Sequence, residues 1–140
     1  MRARYHFSYE PDWRREPVAF WVHRPVEGSD TFDPPAPPFV PHKGFAVLHV
    51  EFDAVDLRFS APVQLDHCID ILSRKPLPTS RSLSSRLGLP VGPNLHWLSR
   101  LPAALKAPRH RMRLVESLRE IRMIVSVPGD GAAFRIPATQ

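Results

Sequence analysis

Cysteine is almost missing from this sequence: Cys68 is the only one in 140 residues. No internal disulfide can form, and the paired Cys or Cys/His spacing of a structural zinc site is absent. A lone thiol suits a reducing cytoplasm, where we expect the chain to work without cofactor or metal. Glycine is also scarce, at six residues, and nowhere clusters into a phosphate-cradling loop. Nor is there a nucleophile elbow or a metalloprotease helix motif, so the expectation is a protein that is not an enzyme. Long apolar runs are lacking too. The amino terminus, MRARYHFSYE, holds no signal-peptide core, and no stretch approaches the roughly 20 apolar residues that spanning a bilayer requires. A soluble, unexported chain with no membrane partner is expected.

What is present is enough to build one core. Hydrophobic residues make up 43% of the chain, with eight Phe and three Trp, which excludes a disordered polymer. The length fits a single domain over residues 1–140, since a second core would have little material left. Charge is distributed unevenly: residues 1–70 carry a net −4 and residues 71–140 a net +9. Such polarisation points to an anionic partner. Sixteen of the 19 basic residues are Arg, whose planar fork suits phosphate or a base edge better than Lys does. A codon usage that favours Arg would give the same composition.

The first sixty residues read as extended chain. Tyr5 to Tyr9 suggests a short edge strand, and Pro17 to Arg24 alternates Val18, Phe20 and Val22 with Ala19, Trp21 and His23, which predicts a strand covered on both faces. Five prolines between Asp33 and Pro41 remove donors and fix φ, so residues 33–42 form a proline-rich loop inside the domain. Ala46, Leu48, Val50 and Phe52 then alternate strictly, and after Asp53 the apolar set changes phase to Val55, Leu57 and Phe59. A tight hairpin at Asp53-Ala54 follows. Ser60 is placed to cap a helix with Pro62 in its first turn and Leu65, Ile69 and Leu72 on its buried stripe, ending before Pro76. Short helices are expected from Ser80 to Leu87 and from Asn94 through Leu101, and a longer one from Pro108 to about Met123 with Leu114, Val115, Leu118 and Ile121 inward. Pro128-Gly129-Asp130-Gly131 marks a turn between β-like runs at Ile124–Val127 and Ala133–Ile136. Strands first and helices afterwards argue for an α+β fold: an antiparallel sheet of about three to five strands, packed by three or four helices, with a C-terminal hairpin.

Two segments carry the functional expectation. From Thr79 to Leu101 a short helix, Gly88 and a second amphipathic helix resemble a helix-turn-helix. The likeness implies that Asn94, His96 and Arg100 reach base edges while Arg81 and Arg86 lie nearby. Pro90 and Pro93 lengthen the turn, and two short helices packed on the sheet would give the same pattern. The second segment is Lys106-Ala107-Pro108-Arg109-His110-Arg111-Met112-Arg113. Cations in a first helical turn oppose the helix dipole, so Arg109, Arg111 and Arg113 read as a phosphate clamp that positions without reading sequence. Further along that helix Arg113, Glu116 and Arg119 have the spacing of surface ion pairs.

Other residue types give ordinary readings. His6, His23 and His49 read as half-buried strand residues rather than metal ligands, Asp70 and Arg74 as an i,i+4 ion pair, and Cys68 as inert core. Pro35-x-x-Pro38 has the composition of a polyproline ligand, and Trp13, Trp21 and Trp97 are either core or exposed anchors for a partner. The resulting expectation is a non-enzymatic nucleic-acid-binding accessory protein whose contact set is Arg81, Arg86, Asn94, His96, Arg100, Arg109, Arg111 and Arg113. The alternative is a protein-interaction module, an adaptor or an inhibitor of a nucleic-acid enzyme, docking through the basic helical half or exposed Trp residues. Oligomeric state is not legible in the sequence.

Overall fold

A strand that alternates apolar and polar residues puts its apolar set on one face, and the three strands of the main sheet do so in register, with Val47 and His49 of the other face buried as well. The structure, a computed structural model, describes residues 3–79, 82–83 and 97–136. Strand β1 (Arg4–Glu10) pairs antiparallel with β4 (Phe45–Phe52), which pairs antiparallel with β5 (Val55–Phe59), in the order β1-β4-β5. Leu48 is flanked by Phe7 and Phe59, and Val50 by Tyr5 and Leu57, so these side chains form one apolar layer. The opposite face carries His6, Ser8, His49, Glu51, Asp56 and Arg58. The β4–β5 turn is the expected tight hairpin: Asp53 and Ala54 both adopt positive φ, 48° and 65°, as a two-residue primed turn requires.

Helix α2 (Pro62–Ser73) lies under the apolar layer with Leu65, Cys68, Ile69, Ile71 and Leu72 buried. Its start differs from expectation in one respect. Ala61, not Ser60, is the N-cap residue. The Ser60 amide donates to Gln64 Oε1 at 2.8 Å, Gln64 Nε2 donates to Ser60 Oγ at 2.7 Å, and Ser60 Oγ donates to the Trp13 carbonyl at 3.0 Å. The serine therefore ties the helix start to the N-terminal segment.

Three helices with both ends described follow the sheet: α2, α3 (Ala103–Lys106) and α4 (Pro108–Val125). Ser82 and Leu83, the described part of the helix expected from Ser80 to Leu87, are helical as well. The segment expected as a helix from Asn94 is described only from Trp97, where Trp97–Arg100 forms a 3-10 turn. Pro102 disfavours helical backbone at Leu101, so that turn cannot run on. In α4 the residues Leu114, Val115, Leu118, Ile121 and Val125 are buried, the stripe that a period of 3.6 dictates. The C-terminal hairpin is present with shifted limits: β6 (Ser126–Val127) pairs with β7 (Asp130–Phe134), because α4 continues through Ile124 and Val125.

The strand expected over Pro17–Arg24 is overturned. Ala19–Val22 is a helical turn, α1, followed by the two-residue strands β2 (Arg24–Pro25) and β3 (Phe32–Asp33), which pair with each other. An apolar run that is buried all round does not discriminate between a period of 2 and a period of 3.6. Here Val18 and Trp21, three residues apart, both enter the core, a spacing that a helical turn brings to one side. Of the stretch 33–42 expected as a proline-rich loop, Asp33 ends β3 and the rest is loop, with Val40 bridging Gly44 at its end. Gly44 has φ 110°, and a Cβ there would stand 2.5 Å from the Glu10 carbonyl. Only glycine lets this loop pass so close to β1.

Candidate anion-binding groove

Helix α4 begins without help from acids. Its N-cap, Ala107, offers no side-chain cap, Pro108 sits at the first position, and the first turn holds no carboxylate. Arg109 and Arg113 are four residues apart and so lie on one helix row. Like charges at that spacing repel, and among the described residues neither side chain makes an ion pair. Both are exposed, and they face the chain leaving α2, where exposed Lys75 and Pro76 stand. The result is an open groove of about 750 Å³ lined by Lys75, Pro76, Arg109, Met112, Arg113 and Glu116, together with Pro108 and Arg111. Glu116 is the one carboxylate among the described residues that line it.

Arg111 plays a different part from its neighbours. It is only 5% exposed, and its Nη1 donates to the Lys106 carbonyl at 2.9 Å. A cation at the last carbonyl of a short helix is favourable, so Arg111 closes α3 from within the groove wall. His110 is also engaged elsewhere, with its ring edge on Phe52 and Nε2 hydrogen-bonded to Asp53 in the β4–β5 turn. That contact pins the first turn of α4 to the sheet.

Of the eight residues expected to touch nucleic acid, Arg109, Arg111 and Arg113 come together here. Arg100 is exposed but borders a separate apolar cavity with Leu57, Arg58, Trp97 and Leu101. Arg81, Arg86, Asn94 and His96, and with them most of the helix-turn-helix likeness, lie outside the described residues. Lys75, Met112 and Glu116 were not anticipated. Lys75 lies more than thirty positions from Arg109, and its only sequence signal is its place just past the end of α2.

The remaining chemistry-bearing groups resolve into structural contacts. Trp13, Trp21 and Trp97 are 6%, 5% and 4% exposed, which corrects the expectation of exposed Trp anchors: each ring fills a gap between elements. Trp97 Nε1 donates to His67 Nε2 at 3.2 Å, and burial holds the His67 pKa down at about 4 against the opposing pull of Asp70. His23 accepts from Gln64 on Nε2 at 3.0 Å and donates from Nδ1 to the Pro34 carbonyl at 2.9 Å. Burial lowers its pKa as well. Glu16, 3% exposed and paired with Arg58, has its pKa raised by burial. Burial pushes the Cys68 thiol well up, as expected of an inert core residue. Asp70 and Arg74 form the expected i,i+4 pair at 2.7 Å.

The polar face of the sheet holds one constellation worth weighing. His49 Nδ1 faces Asp56 Oδ2 at 3.1 Å, and His49 Nε2 lies 2.7 Å from Ser8 Oγ. That order matches a nucleophile relay. However, the single Ser8 proton is also directed to Glu10 Oε2 at 2.9 Å, and His6 stacks on His49 at 4.4 Å. A hydroxyl held between a carboxylate and an imidazole is a cross-strand tie that secures edge strand β1. Among the described residues no group of three or more His, Cys, Asp and Glu side chains is arranged to hold a metal, and no helix is long and apolar enough to cross a membrane.

Against known proteins the chain stands apart: no family model matches it, and neither curated proteins nor solved structures gave a match.

Proposed function

We propose that this protein is a nucleic-acid-binding accessory protein whose binding surface does no chemistry of its own, and that the groove between α2 and α4 holds the phosphate backbone. One observation carries the reading: Lys75, Arg109 and Arg113, drawn from two helix ends, converge with no ion-pair partner among the described residues, and Arg109 stands in a first helical turn whose dipole it opposes. Mutual repulsion makes that arrangement costly in isolation, and an anion relieves it. Arg81, Arg86, Asn94, His96 and Arg100 extend the proposed contact set toward bases.

The test is a fluorescence-anisotropy titration with short oligonucleotides at about 50 and 200 mM salt, comparing wild type with Arg109→Ala/Arg113→Ala. Arg111 is left intact, because its loss would open α3 rather than report on binding. Three phosphate contacts give a slope of log affinity on log salt near −2 for a single strand and nearer −3 for duplex, and the variant should lose most of it. Absence of binding at the lower salt would sink the proposal.

A protein-interaction module, such as an adaptor or an inhibitor of a nucleic-acid enzyme, is the second reading. Met123, Ile124 and Val127 favour it. They are 78%, 47% and 42% exposed and close together in sequence at the end of α4 and the start of the hairpin. Met123 and Val127 line one surface depression, which would mark a contact site if the three form one contiguous patch. Binding to a protein through that patch would survive both high salt and loss of the groove arginines.

A further inference from the structure

Single-stranded nucleic acid, rather than duplex, fits the two rows of side chains that α4 presents to the groove. Pro108 and Met112 are four residues apart and form one row, and Arg109, Arg113 and Glu116 form the next. Met112 is half-buried whereas Pro108, Arg109, Arg113 and Glu116 are exposed, so Met112 makes the recessed apolar floor and the charged row makes the rim. Pro76 continues the apolar lining on the α2 side and Lys75 the basic rim. We infer that the groove receives an unstacked base on Pro76, Pro108 and Met112 while adjacent phosphates of the same strand meet Lys75, Arg109 and Arg113.

The inference rests on the nucleic-acid reading above and adds a choice that charge alone does not make. Duplex DNA keeps its bases stacked and would engage only the rim, leaving the recessed Met112 facing water. Apolar side chains that kink a duplex are wedges that protrude between base steps, and a recessed Met112 is the reverse of a wedge. A single strand can turn one base down while its backbone follows the basic row. Single-strand binders commonly do this with aromatic platforms, and here Met112 and the two prolines would offer the apolar contact instead. Arg109 and Arg113 stand about 6 Å apart along the helix axis by its rise, a separation that neighbouring phosphates of an extended strand can span. Glu116, just beyond Arg113, repels the next phosphate and limits the site to a short stretch.

The experiment compares a fluorescein-labelled ten-nucleotide single strand, the same sequence as a duplex, and an oligo-glutamate peptide, each against wild type, Met112→Ala and Arg109→Ala/Arg113→Ala, with thermal melts confirming that every variant is folded. The expected result is tighter binding of the single strand, weakened by Met112→Ala by up to about fivefold, the lower end of what stacking on an aromatic ring contributes, with duplex binding unchanged by that substitution. Equal affinity for strand and duplex, both insensitive to Met112→Ala but lost with the two arginines, would overturn the single-strand inference and leave the groove reading standing. Oligo-glutamate binding as well as the strand would overturn it in favour of an acidic protein segment. No binding of any probe would remove both readings.

Discussion

The two halves of α4 carry the same residue type to opposite ends. In the second half, Arg122 grips Asp66 of α2 through both Nε and Nη2, the latter at 3.1 Å, and Arg119 Nη2 reaches Ser73 Oγ at 3.5 Å. In the first half, Arg109 and Arg113 meet no carboxylate from α2, because α2 has ended and the chain beside them offers Lys75 and Pro76. The lesson is that an arginine count does not locate a binding surface. What locates it is where the neighbouring element stops supplying acids.

The largest expected effect strikes what the halves share. Leu118, fully buried in the common stripe, should cost about 2–5 kcal/mol when cut to Ala. Denaturant unfolding would measure this, and oligonucleotide affinity of the folded fraction should not change. If affinity fell with stability, the groove would depend on core packing rather than on its own charges.

Next comes acid. His67 lies on α2, the helix that neutralises one half of α4, and its folded pKa of about 4 is below the unfolded value of about 6.5. Between those values the unfolded chain binds the extra proton, so stability is complete above pH 6.5 or so and falls as pH drops toward 4, by at most about 3 kcal/mol. Unfolding midpoints measured across that range should show the slope, and His67→Gln, which keeps an acceptor for Trp97, should flatten it. An unchanged slope in that variant would assign the acid sensitivity to another group.

The comparison itself is broken by exchanging the halves. Arg109→Ala/Arg113→Ala should weaken oligonucleotide binding about tenfold or more at low salt with little change in stability. Arg122→Ala should leave affinity within about twofold and lower stability by no more than about 1 kcal/mol, as a surface ion pair allows. Equal losses of affinity from the two halves would mean that general charge, and not the groove, attracts the ligand. The smallest effect sharpens the picture: Glu116→Gln removes the one carboxylate of the groove and should raise affinity about twofold, readable in the same titration.

Much of the fold was legible in the sequence because the relevant signals are local. Strict alternation in Phe45–Phe52, the phase change at Asp53-Ala54, the stripe of Leu65, Ile69 and Leu72, and that of Leu114, Leu118 and Ile121 each depend on a repeat period alone. Pro17–Arg24 failed because its apolar residues satisfy both periods, and only packing against the core selects the helical one. The groove was half legible. Arg109 and Arg113 announced themselves as basic residues one turn apart at the start of a helix without acids, but Arg111, identical in type and two residues away, turned inward to close α3.

Sequence by itself determined the α+β class, the hairpin turn at Asp53-Ala54, the buried stripes of α2 and α4 and the basic character of the second half, since each follows from backbone period, proline and glycine geometry or net charge. Tertiary structure alone decided that Trp13, Trp21 and Trp97 are core, that Arg122 is neutralised while Arg109 and Arg113 are not, and that Lys75 joins them across more than thirty residues. Those outcomes depend on which element ends beside which, a relation that no period along the chain encodes.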